Sequence, residues 1–122
     1  YVNGDAGGNE AWNNLSDIRL KENIKTISDA LEKVKKLRGV KFNWMENSES
    51  SKNKFGFIAQ EARDIIPEVV DDSGEYMTMQ YAPITALLVE AMKQQQEMIN
   101  QQNEIIADLR TEMDVLRRDN AK

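Results

Sequence analysis

Ser16 and Lys21 are the two side chains in this sequence whose types and spacing favour covalent chemistry. The 122-residue chain contains no histidine and no cysteine, so the commonest catalytic base and the commonest strong nucleophile are both absent. Serine is a weak nucleophile until a base removes its proton. Lysine can be that base only in its neutral form, which desolvation or a neighbouring cation such as Arg19 would favour. The stretch around Ser16 is therefore the best candidate for a reactive site.

The separation of five residues does not by itself bring Ser16 and Lys21 together. Residues five apart share neither a helix face nor a strand face. A bend, a bulge or a neighbouring chain must therefore bring the two side chains into contact. From spacing alone, the alternative of a capping or turn serine beside a solvated lysine remains open.

Composition limits the classes of protein that are possible. The length allows one domain with appendages, and the formal net charge of −5 argues against general nucleic-acid binding. Without cysteine and histidine, we expect no disulfide, no metal site and no cofactor. No apolar run is long enough to span a membrane, and the start is not a signal peptide. The first residue is not methionine, which indicates a piece of a longer chain.

Residues 16–82 carry the alternating short patterns of a small α+β domain. The first predicted elements are a strand around Ile18 and Leu20 and a helix from an N-cap at Ser28 to a C′ glycine at Gly39. Strands at 40–45 and 55–59 follow, and then a helix at 60–66 closed by Pro67. The last is a hairpin in which 69–70 and 76–81 flank the turn 71–75. Gly56 indicates a bulge or a close backbone approach. The basic run Lys33, Lys35, Lys36 and Arg38 is typical of a solvated helix face, with nucleic-acid contact as the alternative.

A long C-terminal helix is predicted over residues 83–122, beginning at Pro83 and continuing without glycine or proline to Asn120. Its heptads favour a coiled coil. Position a holds Thr85, Met92, Ile99, Ile106 and Met113, and position d holds Leu88, Gln95, Gln102, Leu109 and Leu116. Position g is also apolar at Ile84, Ala91, Met98 and Ile105, and the wider face favours three or more strands or packing onto the small domain. A lone helix folded back on its own domain is the alternative.

Five segments, in order along the chain, carry a resemblance to a known family. They are Ser16-Asp17-Ile18-Arg19-Leu20-Lys21-Glu22-Asn23-Ile24, Leu37 to Trp44, Phe55-Gly56-Phe57-Ile58-Ala59-Gln60-Glu61, Pro67-Glu68-Val69-Val70, and Tyr81 through Thr85-Ala86-Leu87-Leu88-Val89-Glu90-Ala91. In these segments the chain resembles the peptidase S74 family. Its members are the C-terminal intramolecular chaperone domains of phage tailspikes, tail fibres and neck appendages, and they also occur in some membrane-bound transcription factors.

The resemblance implies a fold and an assembly. Residues 1–15, rich in Gly and Asn, would be the end of an upstream fibre or a linker. Residues 16–82 would be the α+β chaperone domain, and residues 83–122 would form a parallel trimeric coiled coil. The homotrimer would template folding of the upstream fibre in the host cytoplasm during phage assembly. It would then be absent from the mature virion or only loosely retained, with no nucleic-acid or membrane partner.

The resemblance also implies self-cleavage. Ser16 would attack the carbonyl before it with Lys21 as base, so that the scissile bond is Leu15–Ser16. Arg19 and Asn14 are candidates for stabilising the oxyanion, while Glu22 would either orient Lys21 or be a surface charge. The alternative function is a non-catalytic trimeric tip or receptor-binding module in which Ser16 and Lys21 are structural. An acidic coiled-coil adaptor is a third possibility, supported only by the helix.

Overall fold

A computed structural model describes residues 13–45, 49 and 52–121, and it confirms the α+β class. The predicted fibre end, as far as residue 12, and most of the predicted loop at 46–54 lie outside the described residues. The elements in chain order are a 3₁₀ turn (Ile18–Leu20), α1 (Ala30–Lys36), β1 (Val40–Phe42), β2 (Lys54–Gly56), α2 (Ala59–Arg63), a second 3₁₀ turn (Pro67–Val69), β3 (Val70–Asp71), β4 (Thr78–Met79) and α3 (Ala82–Asn120).

A small apolar core forms where α1, α2 and the second 3₁₀ turn meet the first turns of α3. Its buried members are Ala30, Ala62, Ile66, Val69, Ile84, Leu87 and Ala91, with half-buried side chains such as Leu31 and Val34 packed around them. One polar contact ties α1 to α3, because the Leu31 N–H donates a hydrogen bond to Gln94 Oε1 at 2.9 Å. The core is small, as expected for a domain of this length.

The ends of α1 differ from the prediction. The N-cap is Asp29 and not Ser28, and Asp29 adopts a left-handed conformation with φ 55° that Asp tolerates better than most residues. At the other end Leu37 is extended and its N–H bonds back to Lys33 and Val34. The helix therefore stops before Gly39 can act as a C′ glycine, and Gly39 instead precedes β1.

Two short antiparallel hairpins make up the β structure of the described residues. β1 pairs with β2 with Lys41 opposite Phe55, and β3 pairs with β4 with Val70 opposite Met79. The predicted hairpin around the turn 71–75 is confirmed. The predicted strands at 40–45 and 55–59 are shorter in the structure, since β1 ends at Phe42 and β2 ends at Gly56, three residues before α2 begins.

Gly56 is a point of close approach, as its position in a strand indicates. A Cβ at Gly56 would lie 2.6 Å from Tyr81 Oη and 3.2 Å from Phe42 Cε1. Tyr81 is the residue before α3, its ring packs edge-on against Phe57 with centroids 5.6 Å apart, and its hydroxyl accepts a 3.4 Å hydrogen bond from the Phe57 N–H. The absence of a side chain at Gly56 therefore lets the start of α3 dock against β2.

α3 is 39 residues long and begins one residue before the predicted start. Its first three turns pack onto the small domain through Ile84, Leu87 and Ala91, each no more than 5% exposed. From residue 95 onward every described residue of the helix is exposed. The outer two-thirds of α3 thus extends away from the domain, and no other described residue covers its apolar positions.

Candidate active site at the first turn

The segment around Ser16 forms a tight turn and not the predicted strand. Residues Ile18–Leu20 are 3₁₀-helical, with the Leu20 N–H bonded to the Asp17 carbonyl and the Lys21 N–H bonded to the Ile18 carbonyl, both at 3.1 Å. Asp17 is the N-cap, and its Oδ1 accepts a 2.9 Å hydrogen bond from the Arg19 N–H. The alternation of apolar and polar residues predicted a strand, but this local side-chain capping competes with the strand ladder.

The turn brings Ser16 and Lys21 together within one chain. Lys21 Nζ donates a hydrogen bond to Ser16 Oγ at 2.8 Å. A bend was one of the three ways in which residues five apart could meet, and it is the one that the structure adopts. The distance lies within the range required between a nucleophile and its base. Both side chains are exposed.

The carboxylate of Asp17 also binds the Arg19 side chain. Arg19 Nη2 lies 2.8 Å from Asp17 Oδ2, and Arg19 Nε lies 3.1 Å and 3.2 Å from the two carboxylate oxygens. The Arg19 guanidinium holds the pKa of Asp17 below its usual value, and the capped backbone N–H acts in the same direction. Sequence reasoning overlooked Asp17, although a carboxylate directly before a turn is a recognisable N-cap signal.

The other predicted site residues lie on the surface around this turn. The Arg19 guanidinium is turned towards Asp17. Its part in stabilising an oxyanion stays a prediction. Asn14 and Glu22 are exposed, and neither forms a hydrogen bond or an ion pair within the described part of the chain. Leu15, on the acyl side of the predicted scissile bond, is 84% exposed.

The turn is surrounded by apolar side chains that the described part of the chain leaves exposed. Leu15, Ile18, Leu20 and Ile24 are all more than 60% exposed. A single chain therefore supplies the geometry for proton transfer between Ser16 and Lys21 but not the dry environment that keeps a lysine neutral.

Two further features lie away from the turn. An open cleft of about 1170 Å³ separates β1 from the β3–β4 hairpin, and neither Ser16 nor Lys21 lines it. Arg38, the last residue of the predicted basic run, forms a bidentate pair with Glu61 at 3.0 Å and 2.6 Å. Within the described residues, no helix combines the length and apolar character that crossing a membrane requires.

Comparison with known proteins assigns the segment that contains this turn and the core of the small domain. Residues 16–71 match the model of the peptidase S74 family, described as chaperone of endosialidase. The match begins at Ser16 and confirms the resemblance predicted from the sequence. Residues 16–71 are therefore the part of the chain that is similar to the chaperone of endosialidase family.

Individual relatives match a longer part of the chain. The long tail fiber protein Gp37 of Enterobacteria phage K3 and that of phage T2 are each 42% identical over 85 residues, which is 64% of this chain and 7% and 6% of those proteins. Myelin regulatory factor homolog 1 of Caenorhabditis elegans is 36% identical over 75 residues, which is 54% of this chain and 8% of that protein. The matched region thus spans less than a tenth of each relative's length.

Proposed function

We propose that this chain is an intramolecular chaperone of a phage fibre that trimerises, templates folding of the upstream fibre and then releases itself by cutting Leu15–Ser16. The observation that carries the proposal is the 2.8 Å contact between Lys21 Nζ and Ser16 Oγ. In this reading Ser16 is the nucleophile and Lys21 is its base. The family of residues 16–71 and the tail fiber relatives support the fibre setting.

The chemistry is an acyl shift followed by hydrolysis. Neutral Lys21 takes the proton from Ser16 Oγ, and the oxygen attacks the Leu15 carbonyl carbon through a five-membered ring. The Leu15–Ser16 C–N bond breaks, and the lysine ammonium returns the proton to the departing Ser16 nitrogen. Water then adds to the Leu15–Oγ ester. The products are a Leu15 carboxylate and a chain that begins at Ser16 with a free amine and a free hydroxyl.

Assembly supplies what one chain lacks. Lys21 is exposed in the single chain, so a base at this position requires burial by other subunits. The uncovered apolar side chains beside the turn, Leu15, Ile18, Leu20 and Ile24, are the surface that such burial would use. Cleavage would then follow correct trimerisation and would not precede it.

The trimer itself would form along α3. The apolar a and d positions of its outer two-thirds, among them Ile99, Ile106, Leu109, Met113 and Leu116, are between 41% and 61% exposed in one chain. A parallel coiled coil would bury them and leave the polar layers Gln95 and Gln102 to fix register. The fibre would precede residue 16, and assembly would take place in the host cytoplasm, with the freed chaperone absent from or only loosely held on the mature virion.

Intact-mass measurement of the full chain tests the cleavage. Wild type should yield a fragment that begins at Ser16, Ser16→Ala should remain whole, and Lys21→Ala should be cut at least about 100-fold more slowly, as expected for loss of a general base. Lys25→Ala removes another exposed lysine of the same segment and should be cut like wild type. A wild-type chain that stays at full length, as Ser16→Ala does, would remove the enzymatic half of the proposal.

The alternative is a non-catalytic trimeric tip or receptor-binding module. The observation in its favour is the exposure of both Ser16 and Lys21, which in one chain are a surface hydrogen-bonded pair. Under this alternative the chain sediments as a trimer and stays whole in every variant. A monomer by sedimentation would contradict both functions.

A further inference from the structure

The contact between Ser16 and Lys21 depends on a turn that is held together locally. Every hydrogen bond that residues 16–21 form within the described part of the chain stays inside that stretch. Each of these residues except Asp17 is exposed, so burial contributes little to holding the turn. Isolated 3₁₀ turns of this length are marginal without caps. Whatever caps the turn therefore sets how often the nucleophile and the base meet.

Asp17 is the cap, and it acts through two separate contacts. Oδ1 accepts from the Arg19 backbone N–H at 2.9 Å, one of the N–H groups that the first turn of a helix leaves without a partner. The same carboxylate forms an ion pair with the Arg19 side chain on the surface of the turn. Lys21 follows the last residue of the turn, so its Cα is placed by this cap.

We propose that Asp17 is a positioning residue for the self-cleavage, whose carboxylate caps the turn at Arg19 and so holds Lys21 Nζ on Ser16 Oγ. The expected effect on cleavage rests on the proposed function, whereas the capping of the turn by Asp17 does not. Asp17 does not contact the reacting atoms in this role. It raises the fraction of chains in which Ser16 and Lys21 are in reach of each other.

A purely electrostatic role for Asp17 predicts the opposite sign. Asp17 neutralises Arg19, and Arg19 is the cation nearest to Lys21 in sequence. Removal of the carboxylate would leave that cation uncompensated, and a nearby positive charge favours a neutral lysine. Electrostatics alone would thus make cleavage faster in Asp17→Ala and in Asp17→Asn alike. Capping predicts slower cleavage in Asp17→Ala and recovery in Asp17→Asn, because Asn is an equally good N-cap.

The single-turnover cleavage rate of the full trimeric chain, followed over pH, decides between these roles. Asp17→Ala should cut about five- to thirtyfold more slowly at every pH, the range expected for loss of an N-cap residue. Asp17→Asn should recover to within about threefold of wild type. Lys25→Ala, which removes an exposed cation of the same segment outside the turn, should also stay within about threefold. Wild-type rates in Asp17→Ala, or equal rates in Asp17→Ala and Asp17→Asn, would overturn the proposal.

A second measurement keeps the inference separate from the proposed function. Hydrogen exchange at the Lys21 amide, which closes the turn on the Ile18 carbonyl, should speed up by a similar factor in Asp17→Ala and not in Asp17→Asn. If the wild-type chain is not cut at all, the proposed function fails, and this exchange measurement still decides whether Asp17 holds the turn. Unchanged exchange in Asp17→Ala would overturn the capping role in either case.

Discussion

The first three turns of α3 and its remaining length are one uninterrupted helix with two different environments. Near the start, Ile84, Leu87 and Ala91 are buried against α1 and α2. Beyond residue 94, Ile99, Ile106 and Leu109 keep between 41% and 52% of their surface exposed. Composition does not separate the two parts, because both carry apolar residues at helical spacing. The difference lies in whether the described part of the small domain packs against the helix.

The small domain covers one face of α3 and leaves the neighbouring face exposed. The small domain covers Ile84 and Ala91 at position g and Leu87 at position c, whereas Leu88 at position d and Met92 at position a stay 47% and 71% exposed. The apolar g positions near the start of α3 are thus explained by packing within the chain. The a and d positions stay exposed in the single chain, so the proposed coiled coil would use a face of the helix adjacent to the one that the small domain covers.

The largest expected effect comes from a charge at an a or d position in the outer two-thirds of α3. Leu109→Asp would place a carboxylate at a d position of each subunit, and burying unpaired charges together costs several kcal/mol per chain. We expect the trimer to dissociate at micromolar concentrations and self-cleavage to stop, because Lys21 would stay solvated. Sedimentation and intact mass measure the two consequences.

Thr111→Asp is the matched control for this substitution. It introduces the same charge two residues further along α3, at position f, where a coiled coil faces solvent. It should leave assembly and cleavage unchanged. A trimer that survives Leu109→Asp would show that the a and d seam is not the interface.

A smaller effect should separate Leu87 from its neighbour Leu88. Leu87→Ala removes a side chain that is 5% exposed, and such core truncations cost about 2–5 kcal/mol. Leu88→Ala removes one that is 47% exposed and should cost less than about 1 kcal/mol in the monomer. Denaturant unfolding in the Leu109→Asp background measures the monomer alone. Equal losses would contradict the division of faces.

The contact between β2 and the start of α3 should be weakened by Gly56→Ala. The new methyl group would meet Tyr81 Oη at 2.6 Å, and overpacking of this kind costs about 1–3 kcal/mol. Tyr81→Phe removes that oxygen, so Gly56→Ala should cost less in the Tyr81→Phe background than in wild type. A double-mutant cycle by denaturant unfolding measures the difference. Additive losses would mean that the Tyr81 hydroxyl is not what Gly56 accommodates.

The smallest effect should be a pH dependence at the surface of the small domain. The hydrogen bonds from Arg38 hold the pKa of Glu61 below its usual value. A lowered folded-state pKa means that the pair stabilises the fold above the unfolded value and that this contribution is lost as the pH falls through the folded value. Glu61→Gln should therefore be less stable than wild type near neutral pH, and the gap should close in acid. A gap that widened in acid would contradict this sign.

The sequence predicted the long helix and the hairpin better than it predicted the first turn and the start of α1. The long helix, its start near Pro83 and the hairpin around 71–75 were all predicted correctly, because periodicity over many residues and glycine-containing turns are strong signals. The strand around Ile18 was wrong, because two alternating apolar residues are a weak signal that one capping carboxylate can override. The N-cap of α1 was missed by one residue, at Asp29 in place of Ser28.

The sequence by itself determined the residue types at the candidate site, the family of residues 16–71 and the phase of the heptads in α3. Those features are linear patterns, and they can be read without knowing what any residue touches. Only the tertiary structure decided that Ser16 and Lys21 meet within one chain and that the small domain occupies the c and g face of α3. Both outcomes depend on contacts that spacing does not specify. These contacts are the hydrogen bonds that close a turn and the packing that covers one apolar face of a helix and leaves another exposed.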